Sequence, residues 1–284
     1  MFYCRNEELR KLNKRYNDGN FECVVIYGRR RAGKTTIINE FCKEKPTIFF
    51  SALLEGTAKD NLKTLSRAIY AYKEPEAIDA PEYSSFDSAL DEITRLAAKE
   101  RIVLVIDEYP YLAKSYPSIS SRLQHLIDHI WKDSKLYLIL CGSSMSFMEN
   151  QVLGYQSPLY GRRTGQFKIE PLNFKETAVF NPDLDNVTNA FVYGVTGGIP
   201  HYIKKLNVRG DFRNALIENF FDRSAYLFEE PANLLKQELR EPAVYNSVIT
   251  AIAEGASHMN EICTKSGIEK GKTQKQNHFT YEYF

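Results

Sequence analysis

The sequence has no long hydrophobic run, and no stretch approaches the ~18 apolar residues that a membrane-spanning helix requires. Its opening segment, MFYCRNEELRKL, carries charged residues where a secretory signal peptide would have an apolar core. These two absences argue against a membrane-embedded or secreted protein. We therefore expect a cytoplasmic chain that has no membrane partner.

Cysteine is sparse, with five residues scattered over 284 positions. Their spacing resembles neither the paired ligands of a zinc site nor the framework of a small disulfide-rich domain. We therefore expect reduced thiols that bind no metal. The five are Cys4, Cys23, Cys42, Cys141 and Cys263.

The chain also lacks an excess of charge, because its formal net charge is +1. A protein that binds nucleic acid over much of its surface is strongly basic, so any such role here must be confined to one region. Hydrophobic residues make up 43% and charged residues 26%, which excludes a disordered chain and favours a globular one with a buried core.

What the sequence does contain, as far as Leu172, is an alternation of strand and helix patterns. Short apolar runs predict strands, and segments with apolar residues three or four apart predict helices between them. This alternation predicts an α/β fold with a parallel sheet covered by helices on both faces. The predicted strands are 21–28, 47–52, 101–108, 135–142 and 165–172, and the predicted helices are 7–16, 35–42, 59–72, 86–100 and 121–132.

Beyond Leu172 strand patterns cease and helical patterns follow one another, at 175–180, 187–195, 201–206 and 211–221. We divide the chain into an α/β domain (1–172), a helical lid (173–241) and a C-terminal region (242–284). The last region holds two short helical patterns, separated at Gly255 and Ala256 and closed at Gly267. They resemble the first part of a winged helix-turn-helix.

The segment GRRRAGKT, from Gly28 to Thr35, matches G-x-x-x-x-G-K-[ST] at every fixed position. The glycines let backbone N–H groups turn towards phosphate oxygens, Lys34 reaches the β- and γ-phosphates, and the Thr35 hydroxyl binds Mg²⁺. A strand pattern precedes the motif and a helical pattern follows it, as this mechanism requires. The predicted ATP-binding residues are Gly28, Arg29, Arg30, Arg31, Ala32, Gly33, Lys34, Thr35 and Thr36.

The three arginines of this loop, Arg29, Arg30 and Arg31, allow two interpretations. They are either solvated residues of an exposed loop or an added attraction for the triphosphate. The sequence does not decide between the two.

Asp107 and Glu108 follow the apolar run 102–106. Beside a bound nucleotide the first carboxylate would hold Mg²⁺ and the second would polarise an attacking water. We therefore predict Thr35 and Asp107 as the Mg²⁺ ligands and Glu108 as the catalytic base. The adjacent glutamate favours ATP hydrolysis over phosphoryl transfer to a small molecule.

Two further segments carry polar residues that we predict at the same edge of the sheet. Ser143 follows the predicted strand 135–142 and either senses the γ-phosphate or is an ordinary turn serine. Arg162 and Arg163 lie in the glycine-flanked segment PLYGRRTG. One of them either acts as an arginine finger, which contributes about 10³–10⁵ in rate, or belongs to a surface pair.

Two other patterns are rejected. His125, Asp128 and His129 resemble an inverted zinc-protease motif, but no third ligand is apparent and such histidine pairs more often face solvent. The segment 13–16 reads NKRY and resembles the guanine-reading N-K-x-D motif. Its last residue differs and it precedes the phosphate loop, which argues against a GTPase.

Taken together, these segments resemble the prokaryotic AAA-like ATPases of the archaeal-ATPase type, relatives of the signalling ATPases with numerous domains. The resemblance extends from Phe2 to about Ile268. It implies a P-loop NTPase fold, a three-layer parallel sheet of the additional-strand type with five strands, a helical lid and a winged helix. It also implies the same roles for Lys34, Thr35, Glu108, Ser143 and either Arg162 or Arg163. The segments that carry it are the opening F-x-x-R-x-x-E-L, YGRRRAGKTT, VIDEYPYL, CGSSMSFM, SPLYGRRTG and TGGIPHYI.

After Ile268 the family continues with a recognition helix, whereas here the chain reads EKGKTQKQNHFTYEYF, without a helical apolar period. We therefore predict an incomplete winged helix, with a truncated or frame-shifted end that lacks its DNA-reading helix. The sequence as a whole predicts a Mg²⁺-dependent ATPase that acts as a molecular switch and has ATP and ADP as ligands. The alternatives are a nucleotide-gated regulator with little hydrolysis and a DNA-binding module. A DNA or protein partner would bind through the C-terminal helical region, and the oligomeric state is left open.

Overall fold

The computed structural model describes residues 4–76, 80–206, 208, 211–239 and 241–268. The chain divides into two compact units, Met1–Lys204 and Lys205–Phe284. The domain boundaries predicted at 172 and 241 followed changes in sequence pattern rather than in contacts, and they stay predictions.

The first unit is built on a five-stranded parallel sheet. Its strands are β1 (Glu22–Tyr27), β2 (Thr47–Ser51), β3 (Val103–Asp107), β4 (Tyr137–Gly142) and β5 (Gly165–Lys168). They lie in the order β2-β3-β4-β1-β5, and each described pairing is parallel. All residues of β1, β3 and β4 are buried, which explains why these strands read as continuous apolar runs. The predicted α/β fold with a five-stranded parallel sheet is confirmed.

Helices connect the strands and continue beyond the sheet. Up to the end of the first unit they are α1 (Asn6–Asn17), α2 (Lys34–Cys42), α3 (Ala58–Lys73), α4 (Phe86–Lys99), α5 (Tyr109–Ser115), α6 (Ile119–His129), α7 (Met145–Phe147), α8 (Phe174–Ala178), α9 (Asn186–Thr196) and α10 (Pro200–Lys205). A 3-10 turn at Trp131–Asp133 follows α6, and a π-helical turn at Met148–Val152 follows α7.

Two hydrophobic layers cover the two faces of the sheet, because successive residues of a strand point to opposite sides. Val25 of β1 belongs to the layer that contains α3 to α6, and Val24 belongs to the layer that contains α1 and α2. The single tryptophan, Trp131, lies fully buried in the first layer, where its indole N–H donates to the Thr94 hydroxyl at 2.8 Å.

The described part of the second unit consists of helices and the turns between them. It contains α11 (Phe212–Leu216), a π-helical turn (Ile217–Phe221), α12 (Tyr226–Glu238), α13 (Pro242–Ala253) and α14 (Met259–Ser266). The last two pack together around Val248, Ala251, Ala256 and Ile262. The residues beyond 268, on which the predictions of a truncated end and a missing recognition helix rest, lie outside the described residues.

Several element predictions differ from the structure. Helix α12 was not predicted, because Pro231 inside it normally ends a helix, as Pro has no N–H and clashes with the preceding turn. Pro231 is the sixth residue of α12 and so lies just beyond the first turn, where prolines are tolerated without this cost. Helix α5 was also missed, although Pro110 in its first turn is typical of the start of a helix. Strand β5 ends at Lys168, four residues earlier than predicted, before Pro171.

Within the parts of the chain that the structure describes, every helix falls short of the length and apolar character needed to cross a bilayer.

Candidate nucleotide site

The phosphate loop joins the end of β1 to the start of α2. Strand β1 lies between β4 and β5, so the loop sits at the carboxyl end of the sheet with strand ends on either side of it. Helix α2 begins at Lys34, and its N-cap residue is Gly33, which has no side chain to bond the first-turn N–H groups. Those N–H groups and the positive end of the helix dipole therefore face the loop, an arrangement suited to an anion.

Two glycines are required by the backbone of this loop. Gly28 has φ +154°, and a Cβ there would lie 2.3 Å from the carbonyl oxygen of Ile169. Gly33 has φ +98°, a conformation that L side chains rarely adopt. The motif glycines thus allow a close backbone approach at one end of the loop and a left-handed turn at the other.

The Lys34 side chain lies inside the loop and is 6% exposed. Its ammonium donates to the carbonyl oxygens of Gly28, at 2.9 Å, and Arg29, at 2.8 Å. Burial lowers the pKa of Lys34, and the nearby Cys141, Glu108 and Asp107 oppose that shift. The cation is therefore held at the centre of the loop and near the carboxylates at the end of β3.

Thr35 and Asp107, the predicted Mg²⁺ ligands, lie side by side. The Thr35 hydroxyl donates to Asp107 Oδ2 at 3.3 Å, and Asp107 Oδ1 accepts from the Glu108 backbone N–H at 3.0 Å. Asp107 is buried, whereas Thr35 is exposed at the mouth of the loop. A hydroxyl and a carboxylate oxygen at this separation fit the oxygen ligands that Mg²⁺ takes beside phosphates.

Glu108 and Ser143 form the second contact between strand ends. Both carboxylate oxygens of Glu108 lie 3.0 Å from the Ser143 hydroxyl, and Oε2 also accepts from the Ser143 backbone N–H at 3.3 Å. Glu108 has φ +50°, which for a residue with a side chain costs about 1–3 kcal/mol. The sequence predicted both residues for the site but not the hydrogen bonds between them.

Two of the loop arginines contact tyrosines that the sequence analysis did not select. Arg30 Nη2 donates to the Tyr111 hydroxyl, and Arg31 Nη1 donates to the Tyr202 hydroxyl at 3.2 Å. The Arg31 guanidinium also lies 5.6 Å from the centre of the Tyr202 ring. Both tyrosines lie inside segments that carry the family resemblance, VIDEYPYL and TGGIPHYI, which could have marked the tyrosines themselves but not their arginine partners. These arginines are therefore held by other segments and are not simply solvated.

The structure does not bring the two candidate finger residues into hydrogen bonding with the loop, as far as the described residues go. Arg162 forms a two-pronged ion pair with Asp128 of α6, with distances of 2.9 and 2.8 Å. Arg163 donates to the carbonyl oxygen of Leu153 at 3.4 Å. The finger role of either residue remains a prediction.

The rejected histidine motif has a different explanation. His125 and His129 are exposed, and their rings lie 4.6 Å apart. Asp128, the third member of the pattern, is the partner of Arg162.

A separate cavity of about 450 Å³ lies away from the phosphate loop, between α1 and β5. Its walls are Lys11, Lys14, Arg15, Asp18, Gln166 and Phe167. None of the predicted site residues lines it, so we do not assign the nucleotide to this cavity.

The strand order and the phosphate loop between β1 and α2 define a P-loop ATPase fold of the additional-strand type. Residues 2–206 match the family described as an ATPase domain predominantly from Archaea, and the chain belongs to that family. The family is one of ATP-binding ATPases, in agreement with the resemblance found in the sequence.

Solved structures of low sequence identity share the fold. A Walker-type ATPase of Pyrococcus abyssi has a TM-score of 0.69 and 20% identity, and the match covers 98% of this chain and 88% of that one. The ORC1 protein of Aeropyrum pernix, solved in complex with DNA, has a TM-score of 0.56 and 15% identity, with 94% and 77% covered.

Curated relatives come from Methanocaldococcus jannaschii. The uncharacterized protein MJECL04 is 38% identical over 262 residues, which cover 92% of this chain and 56% of the relative. This chain therefore spans little more than half the length of MJECL04. The uncharacterized ATP-binding protein MJ0423 is 42% identical over 45 residues, or 16% of this chain and 76% of that protein.

Proposed function

We propose that this chain binds Mg²⁺ and ATP on the loop from Gly28 to Thr36 and hydrolyses ATP to ADP and phosphate. The observation that carries the proposal is the meeting of three strand ends around one buried lysine. The Thr35–Asp107 hydrogen bond joins the loop after β1 to the end of β3, and the Glu108–Ser143 hydrogen bonds join β3 to the residue after β4.

In this proposal the loop binds the nucleotide by exchanging its internal contacts for phosphate contacts. The Lys34 ammonium leaves the carbonyl oxygens of Gly28 and Arg29 and binds the β- and γ-phosphates, where charge-assisted hydrogen bonds are stronger. Thr35 and Asp107 would hold Mg²⁺, which neutralises the charge on the β- and γ-phosphate oxygens.

Glu108 carries the chemical step that we propose. Its carboxylate accepts a proton from the attacking water as the oxygen of that water bonds to the γ-phosphorus and the bond to the β-γ bridging oxygen breaks. Ser143 presently donates two hydrogen bonds to this carboxylate. A γ-phosphate that attracts the Ser143 hydroxyl would weaken one of these bonds, so Ser143 would link the state of the nucleotide to the access of water to the Glu108 carboxylate.

The second candidate function is a nucleotide-gated regulator that hydrolyses ATP slowly. The same Glu108–Ser143 contact favours it, because carboxylate oxygens that already accept hydrogen bonds from Ser143 are less available to a water. With either function we propose that the protein acts as a molecular switch in the cytoplasm. We also propose that a DNA or protein partner binds to the C-terminal helical region that contains α13 and α14.

Turnover in Glu108→Gln separates these two functions. An ATPase should lose about 10²–10⁴ in turnover, the usual contribution of a general base, while keeping its affinity for ATP. A slow regulator would show little turnover to lose. The measurement is phosphate release by the purified chain with Mg²⁺ and ATP.

Lys34→Ala is the matched test of nucleotide binding. We expect it to weaken the binding of labelled ATP by at least about tenfold to a hundredfold, because a charged hydrogen bond contributes about 1.5–3 kcal/mol. Equal affinity in this variant and the unaltered chain, with the same melting temperature, would contradict the proposal at its first step.

A further inference from the structure

Helix α10 lies between the phosphate loop and the second unit along the chain. The first unit ends at Lys204, the fifth residue of α10, and Lys205 opens the second unit. Tyr202 of this helix receives a hydrogen bond of 3.2 Å from Arg31, whose guanidinium also lies near the tyrosine ring. The phosphate loop therefore contacts the helix that leads out of the first unit.

The beginning of α10 is fixed by a second contact. Gly198, in the turn before the helix, has φ +68°, and a Cβ there would lie 2.0 Å from the carbonyl oxygen of Leu172. The Leu172 N–H in turn donates to the carbonyl oxygen of Gly198 at 2.8 Å. Because this close pairing holds the turn, Tyr202 has a defined position from which to meet Arg31.

Arg31 itself is held in an unfavourable backbone conformation. Its φ is +66°, in the left-handed region that residues with a side chain rarely adopt. Its position between the two motif glycines also places it in the loop that would surround a triphosphate. A bound nucleotide and the Tyr202 hydroxyl would therefore compete for one guanidinium, and the triphosphate carries the greater charge.

We propose that the Arg31–Tyr202 contact couples the phosphate loop to α10. Nucleotide binding draws Arg31 towards the phosphates, weakens its hold on Tyr202, and loosens the helix that leads to the second unit. Tyr202 is a positioning residue in this scheme, since it acts through Arg31. The inference rests on the nucleotide binding proposed above. It adds the contact through which that binding would affect α10.

Hydrogen exchange of the peptide that contains α10 tests the coupling, with Mg²⁺ and the non-hydrolysable analogue AMP-PNP as the ligand. In the unaltered chain we expect the nucleotide to speed exchange in α10 by about fivefold or more, the lower end of ordinary coupling between sites. Tyr202→Ala should exchange at that faster rate without nucleotide and respond no further. Tyr202→Phe, which keeps the ring and loses the hydroxyl, should lie between the two.

The affinity for AMP-PNP is the second measurement. Removing a tyrosine with only a structural role would not be expected to tighten AMP-PNP binding. Because coupling is reciprocal, removing the competitor for Arg31 should tighten AMP-PNP binding by about the same factor. Lys204→Ala is the control, since Lys204 is an exposed residue of the same helix and should change neither quantity. The double variant Arg31→Ala with Tyr202→Ala should show no further effect of the tyrosine.

The outcomes separate this inference from the proposed function. Absence of AMP-PNP binding by the unaltered chain would overturn both. If the nucleotide binds but α10 exchange stays constant, or if Tyr202→Phe and Tyr202→Ala respond like the unaltered chain, the coupling alone is wrong. Weaker binding in Tyr202→Phe with an unchanged melting temperature would also overturn it.

Discussion

The molecule contains two loops with consecutive arginines beside glycines, and they hold those arginines in different ways. In the phosphate loop, Arg30 and Arg31 donate to tyrosine hydroxyls. In the loop before β5, Arg162 is paired with the carboxylate of Asp128. The tyrosine hydroxyl is a neutral partner that orients a guanidinium, whereas the Asp128 carboxylate is a charged partner that forms an ion pair with one.

This difference has a consequence for function. A hydrogen bond to a neutral hydroxyl is weaker than one to a carboxylate, so an arginine is released more easily from a tyrosine than from an aspartate when a phosphate competes for it. Arg162 and Asp128 form one ion pair, which raises the pKa of Arg162 and lowers the pKa of Asp128. Each side chain therefore stabilises the charged form of the other. Arg162 would therefore act as a finger only after its side chain leaves Asp128.

The largest effect is expected on ATP turnover in Arg162→Ala, which tests whether the ion pair with Asp128 is released. If Arg162 leaves Asp128 to stabilise the transition state, turnover should fall by about 10³-fold, at the lower end for arginine fingers, with ATP affinity unchanged. The measurement is phosphate release at several protein concentrations, because a finger supplied by a second copy makes the rate per chain rise with concentration. Unchanged turnover would leave Arg162 as an anchor of its loop, and Arg163→Ala would then be the next variant.

An intermediate effect is expected from Arg30→Met, which removes the charge and keeps much of the length of the side chain. We expect ATP binding to weaken by roughly tenfold, because one charged interaction with the phosphates contributes about 1.5 kcal/mol or more. The matched control is Tyr111→Phe, which removes the hydroxyl partner and leaves the arginine charge. The ATP affinity of both variants is measured by titration. If Tyr111→Phe loses as much affinity as Arg30→Met, the comparison is contradicted.

The smallest effect concerns the stability of the ion pair itself. The pKa of Asp128 is lowered by the hydrogen bond from Arg162, so the pair stabilises the fold when the carboxylate is ionised. That stabilisation is fully present above the unfolded pKa of about 3.8 and is lost as the pH falls through the lower folded value. Melting temperatures of the unaltered chain and Asp128→Asn should differ slightly at pH 7 and converge below pH ~3. A difference that persists at the acidic end would need another cause.

Local sequence was sufficient for the features that depend on neighbouring residues. Strand β1, the two loop glycines and helix α2 are consecutive in the chain, so one motif predicts all three. Asp107 was expected near Thr35 because the ends of parallel strands meet at one edge of a sheet, and the two side chains are hydrogen-bonded.

Contacts between distant residues could not be predicted in the same way. Arg31 and Tyr202 are 171 positions apart, and nothing in either segment specifies the other. Asp128 stood in a histidine pattern that suggested a metal, yet its partner is an arginine 34 positions later. Such pairs are set by how the helices and loops pack, which single-sequence patterns do not contain.

The burial of Trp131 makes the two units separable by spectroscopy. As the single tryptophan, packed in the layer that contains α3 to α6, it gives a fluorescence signal that follows the sheet-bearing unit alone. Far-ultraviolet circular dichroism follows helices in both units. If the two signals change at the same denaturant concentration, the units melt cooperatively, and if dichroism is lost first, the helical unit melts on its own.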